Sequence, residues 1–205
     1  MGNTVGPRQY SDGNTPDTRH GKQAELIGGT AHGACWEAAG RHKLFMASTA
    51  VAGVAPGTAQ STTPAFSLWN PVNSGLDLII VRATIGYVSG TIGAGTLVWG
   101  WVSQTTAPTT GTELTPILTR AAAANGSGRA FQASTHSAIP AIMRPAFILS
   151  AVLATTAAPL AAAAVDWVDG EIVVPPNTAV TLHGVAAAGS TPLILISVTW
   201  EEVPV

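Results

Sequence analysis

Charge is what this chain has least of. Only 10% of its 205 residues are Asp, Glu, Lys or Arg, against roughly a quarter in an average soluble domain. What charge there is sits unevenly: residues 1–45 hold nine such side chains and residues 46–205 hold eleven. Surface charge supplies much of a protein's solubility, so a body this neutral suggests one packed against neighbours. The net charge of −2 gives no field to draw in nucleic acid or an acidic membrane surface. Cysteine is nearly absent as well. Cys35 stands alone, which excludes an intrachain disulfide framework and fits a reducing compartment. Long apolar runs are missing too. The first twenty residues contain none, so no signal peptide is expected. The uncharged stretch 145–165 is broken by Pro145, Pro159 and the Thr155–Thr156 pair, so no membrane span is expected.

Motifs for chemistry are equally thin. No G-x-S-x-G nucleophile elbow occurs. Gly90–Gly95 is glycine-rich but fits no phosphate-loop pattern and lacks the lysine, so it reads as a turn. His32, Cys35 and His42 are three ligand types without the fourth that a structural zinc site wants, and are read as ordinary residues of a docking segment. Asp166, Asp169 and Glu171 surround Trp167. They match no EF-hand spacing and have no second acidic cluster to support hydrolysis, so a solvated loop is expected there rather than calcium or catalysis. No catalytic residue, metal or cofactor is therefore assigned.

What the chain does hold is 46% hydrophobic residues, 22 Gly and 14 Pro. Beta-branched runs alternate with turn formers, the pattern of a sandwich or barrel. Strands are expected at Phe66–Trp69, Leu76–Val88, Leu97–Ser103, Ala146–Ala154, Glu171–Val174, Ala179–Val185 and Leu193–Trp200. Within the second of these, Asp77, Ile79, Val81, Ala83, Ile85 and Tyr87 should share one face, and Leu78, Ile80, Arg82 and Thr84 the other. Leu97, Trp99 and Trp101 should also share a face. Ile117–Ala124 reads as a helical turn or two. Before the body lie an arm, residues 1–49, with small docking strands, and a connector, residues 50–64; the β-sandwich domain is expected over 65–205. Residues 1–22 are too polar to bury enough surface to fold alone. In the arm, Arg8, Arg19, Lys22, Arg41 and Lys43 are nearly balanced by Asp12, Asp17, Glu25 and Glu37, the pattern either of a solvated tail or of a mixed-charge strap that fixes register on another subunit. Arg8, Arg19, Trp36, Arg41, Lys43, Trp99 and Trp101 are the candidate interface residues, tryptophan being enriched in cores and interfaces.

Phe66–Pro71 (FSLWNP), Gly86–Thr96 (GYVSGTIGAGT), Asp169–Pro176 (DGEIVVPP) and Trp200–Pro204 (WEEVP) carry a resemblance over roughly residues 25–205. The chain resembles β-rich bacteriophage virion proteins. The resemblance implies a jelly-roll-like module, often trimeric, that acts by binding: a capsid cement or decoration protein, assembled in the host cytoplasm, whose partners are further copies and the major capsid protein or other virion subunits. A receptor- or glycan-binding module of a tail fibre or spike is the alternative, with Trp99/Trp101 or the 166–171 loop holding the ligand.

Overall fold

The computed structural model describes residues 35–120, 122–123, 126–149 and 164–205. The chain divides into two units, residues 1–36 and 37–205. Most of the first unit, and the docking strands expected within it, lie outside the described residues. The second unit is the β-body.

Its strands fall into two antiparallel sheets. In chain order β1 is Leu44–Ser48, β2 Phe66–Asn70, β3 Leu76–Thr91, β4 Gly95–Ser103, β5 Thr112–Leu114, β6 Ile117–Leu118 and β7 Ala122–Ala123. There follow β8 Arg129–Gln132, β9 Ala141–Leu149, β10 Ala164–Trp167, β11 Val173–Val174, β12 Thr178–Ala186 and β13 Ser190–Pro204. One sheet runs β10-β3-β13-β1-β6-β7, with β11 also on β3; the other runs β5-β8-β2-β12-β4-β9. Eight of these strands carry the double Greek-key order of a jelly roll. Lettered B to I along the chain, β1, β13, β3 and β10 form the BIDG sheet, and β2, β12, β4 and β9 form the CHEF sheet. The β4–β9 connection is enlarged: it supplies β8 and β5 to one sheet and β6 and β7 to the other.

The expected all-β sandwich is therefore the fold, and the jelly-roll order follows from the strand pairing. Alternation buries one face of each central strand. Phe66, Leu68, Leu97, Trp99, Leu182, Ile194, Ile196 and Trp200 are completely buried between the sheets. A smaller cluster, Trp69, Val102, Phe131 and Ala179, sits apart from the main core.

Several expectations need correction. The faces of β3 do not alternate throughout. Leu78 and Ile80 are buried, and then so are Ala83 and Ile85. The register passes from Thr199↔Arg82 to Trp200↔Ile80, leaving Val81 as an extra residue. Such a bulge moves the side chains beyond it to the other face. Ile117–Ala124 is not helical: β6 and β7 extend the sheet beyond β1. In the arm, where only docking strands are expected, a short helix, α1, occupies Trp36–Gly40. The strand expected at Ala146–Ala154 begins earlier, at Ala141, and runs through Leu149; residues 150–154 lie outside the described residues. Pro145 is accommodated because β9 is an edge strand and Pro145 pairs beside a register shift.

Leu44–Ser48, placed in the arm by sequence, pairs with both β13 and β6. Leu44, Phe45 and Ala47 are buried, so this segment belongs to the core. The connector is pinned at several points. Val54 bridges Ile194, the Gly184 N–H donates to the Pro56 carbonyl, and the His136 N–H donates to the Thr62 carbonyl.

The glycine-rich end of β3 packs tightly against the start of β13, where the two strands pair at Thr91 and Ser190. Gly90 has φ of 81°, a left-handed conformation that costs glycine little, and an added Cβ would collide with the Thr191 backbone carbonyl. Gly90→Ala is thus expected to cost about 2 kcal/mol or more through strain and overlap. Thermal unfolding checks this; an unchanged midpoint would contradict the tight packing of the two strands here.

Candidate interaction surface

One long edge of the sandwich is formed by β9 in the CHEF sheet and by β10 and β11 in the BIDG sheet. Its chemistry starts at Arg144 on β9. The guanidinium reaches across to β10, with Nη1 3.2 Å from Asp166 Oδ2, and its Nε lies 3.0 Å from Glu171 Oε2. Asp166 Oδ2 also accepts from the indole Nε1 of Trp99 at 2.7 Å. Asp166 thus faces inward and ties the two sheets together. The loop that follows folds back over the β3 bulge: the Val168 and Asp169 N–H groups both donate to the Val81 carbonyl, and the Gly170 N–H donates to that of Ile80. The acidic trio is accounted for by this stitching. Asp166 and Glu171 pair with Arg144, while Asp169 (φ 49°) and Gly170 (φ 87°) make the turn. Among the described residues no group of three or more His, Cys, Asp or Glu is placed to hold a metal.

Beside the ion pair lies an apolar groove of about 230 Å³. Trp101, Met143 and Val173 line it and stay about half exposed; Ile172 and Val180 are buried beneath. It is smaller than the roughly 300–1,000 Å³ of ordinary small-molecule sites. Outward from it along β9, Ile142 and Ile148 are exposed, and Val165 and Trp167 are exposed on β10. Trp167 is 65% exposed, with the Arg82 guanidinium 5.5 Å from its ring centre.

The tryptophan pair singled out by sequence separates. Trp99 is wholly buried and presents no surface to a ligand or neighbour. Trp101, two residues on at the strand end, is half exposed and lines the groove. Trp36 begins α1 and is exposed; Arg41 and Lys43 lie on the exposed turn before β1. Arg8, Arg19 and His32 lie outside the described residues. Nε2 of His42 is 3.1 Å from Arg120 Nη1, a cationic neighbour unsuited to a metal ligand. Trp167, expected in a solvated loop, is exposed but stands on strand β10. Sequence reasoning missed Ile142, Met143 and Val165 as surface residues. Their only signal was apolar character on strands, which does not separate an edge from a core.

Two histidines are buried near the CHEF sheet. His183 lies on β12, and His136 follows β8; both are almost fully covered. Burial lowers both pKa values, that of His136 to about 4. Both rings are therefore neutral at pH 7. No helix among the described residues is long and apolar enough to cross a membrane.

The fold and this edge define a jelly-roll β-sandwich with one long border that is largely apolar and whose charges are mostly paired with one another. No family model, curated protein or solved structure matches the chain.

Proposed function

We propose that the chain is a non-enzymatic structural protein of a virus particle, a bacteriophage capsid cement or decoration protein that forms trimers and straps neighbouring shell subunits. Jelly rolls recur in viral capsid and lectin domains, but a fold does not fix a function. The observation that carries the reading is the apolar β9–β10–β11 border on a body with so little charge. Exposed apolar patches rimmed by polar groups mark protein contacts, and here Arg144 and Glu171 form the rim. The mechanism is mechanical. Copies associate through apolar surface, and the mixed-charge segment containing Arg8 and Arg19 reaches a shell subunit. Three weak arms on one trimer then bind far more tightly than one.

Co-sedimentation with capsid shells tests the strap. Deletion of residues 1–34 spares β1, whose Leu44 and Phe45 belong to the core. The truncated chain should keep the full chain's oligomeric mass while losing at least roughly 100-fold in shell affinity, the low end for lost multivalency. Undiminished shell binding would refute the strap. A glycan-binding tail module remains the second reading, favoured by exposed Trp167 beside Arg82. Antibody label over the whole shell supports cement, and label at one vertex supports the tail.

A further inference from the structure

We infer that the β9–β10–β11 border is the self-association surface, and that its occupant is the same border on further copies of this chain. Seven of the fifteen exposed large apolar side chains among the described residues stand on β9, β10, β11 or the end of β4. The opposite borders differ. They end in β5 and β7, three and two residues long, and β5 carries Glu113, doubly hydrogen-bonded to Arg129. β10 and β11 are short as well, four and two residues, and Pro145 and the register shifts blunt β9 for strand addition, so the contact is made by apolar side chains and not by edge-to-edge strand pairing.

Charge decides the kind of occupant. Arg144 on the border is engaged by Asp166 and Glu171, and the Arg82 guanidinium beside Trp167 is offset by Asp169, so opposite charges nearly balance and leave little field to attract an oppositely charged partner. An apolar strip without strong net charge fits further copies of itself, face to face about a two-fold axis or by its two sides, β9 against β10–β11 of the next copy, about the three-fold axis of the proposed trimer. The area suffices. A nine-residue strand is about 30 Å long at ~3.4 Å per residue. Two sheets ~10 Å apart with their side chains make a border about 20 Å wide. That is roughly 600 Å² per copy, or about 1,200 Å² per pair, the lower bound of stable interfaces. The groove beside Trp101 then receives an apolar side chain from the neighbouring copy, consistent with its small volume.

This inference identifies the surface used by the assembly reading above, yet its test is separate. Sedimentation of the full chain should give a multiple of the single-chain mass. Ile142→Lys with Ile148→Lys should yield a single chain with an unchanged near-ultraviolet spectrum, its self-association weakened at least ~100-fold, roughly tenfold per buried lysine. A full chain that is monomeric at ~100 μM, far above the Kd of an ordinary stable interface, would overturn the inference, as would a double variant that keeps the parental mass. Should the variant fail to fold, cross-linking decides. In a Cys35→Ser background, Met143→Cys should form an interchain disulfide on oxidation, and Val72→Cys, on an exposed turn, should not. No link through Met143→Cys overturns the inference. Wild-type oligomers that ignore the border variants defeat only this surface assignment; failure to bind shells by an oligomer that these variants dissociate defeats only the proposed function.

Discussion

Replacing Trp200 by alanine should remove about 4 kcal/mol of stability, within the range for deleting a buried large aromatic. Trp200 lies on β13 and is completely buried. Its ring stacks on Phe45 of β1, with centroids 6.1 Å apart and planes 22° from parallel. Its Nε1 donates to Glu202 Oε1 at 3.4 Å. Glu202, itself buried, also accepts from the Ser127 and Gly128 N–H groups at 3.1 and 2.9 Å. The alanine variant thus opens a large cavity and removes one donor from a buried carboxylate. Trp200→Phe keeps most of the volume and should cost only about 1–3 kcal/mol. Urea unfolding monitored by circular dichroism measures both. Equal losses would mean that the indole N–H, not the packing, sets the stability at this point.

Acid should weaken the fold well before the carboxylates protonate. His136 is buried and its pKa is lowered to about 4, against about 6.5 in an unfolded chain. The folded state therefore binds fewer protons than the unfolded state between these values. Stability is complete above about pH 6.5 and is lost as pH falls towards 4. A difference of about 2.5 units corresponds to roughly 3 kcal/mol, nearly all of it lost by pH 4. His183 is lowered for the same reason, burial, and adds in the same direction. Glu113 behaves differently: the hydrogen bond from Arg129 holds its pKa below the ordinary 4.5, so its contribution is lost only in stronger acid. Denaturation midpoints between pH 5 and 7 thus report the histidines. His136→Asn should flatten that dependence substantially, and an unchanged slope would show that His136 is not the group responsible.

The strands were legible where composition and position agree. Leu193–Trp200 alternates cleanly because β13 sits centrally between β3 and β1, and Leu97–Ser103 is recognisable for its apolar pattern. The misses have local causes. Ala121–Ala124 has the highest helix propensity available, yet β7 pairs with β6, so tertiary pairing overrode propensity. Val81 gives no sign of being a bulge, because the bulge depends on Trp200 standing opposite Ile80, more than a hundred residues away. The candidate surface was half visible. Trp101 was singled out along with Trp99, but which one is covered depends on distance from the strand end. Ile142 and Met143 were hidden by Pro145, which delayed the expected start of the strand. The charge census pointed towards contact with neighbours without saying which side of the body makes it.

The pairing of β1 with β13 has a consequence for how the protein is made. β13 lies between β1 and β3, so β1, which can meet β6 earlier, joins the rest of its sheet only when the latest strand arrives. Such distant pairings make folding slow. On the ribosome, the facing edges of β1 and β3 and much of the core between the sheets remain unsatisfied until the segment from Ser190 onward has emerged. A nascent chain interrupted before that point displays unpaired β edges and bare core, the state in which a chain is most in need of a chaperone.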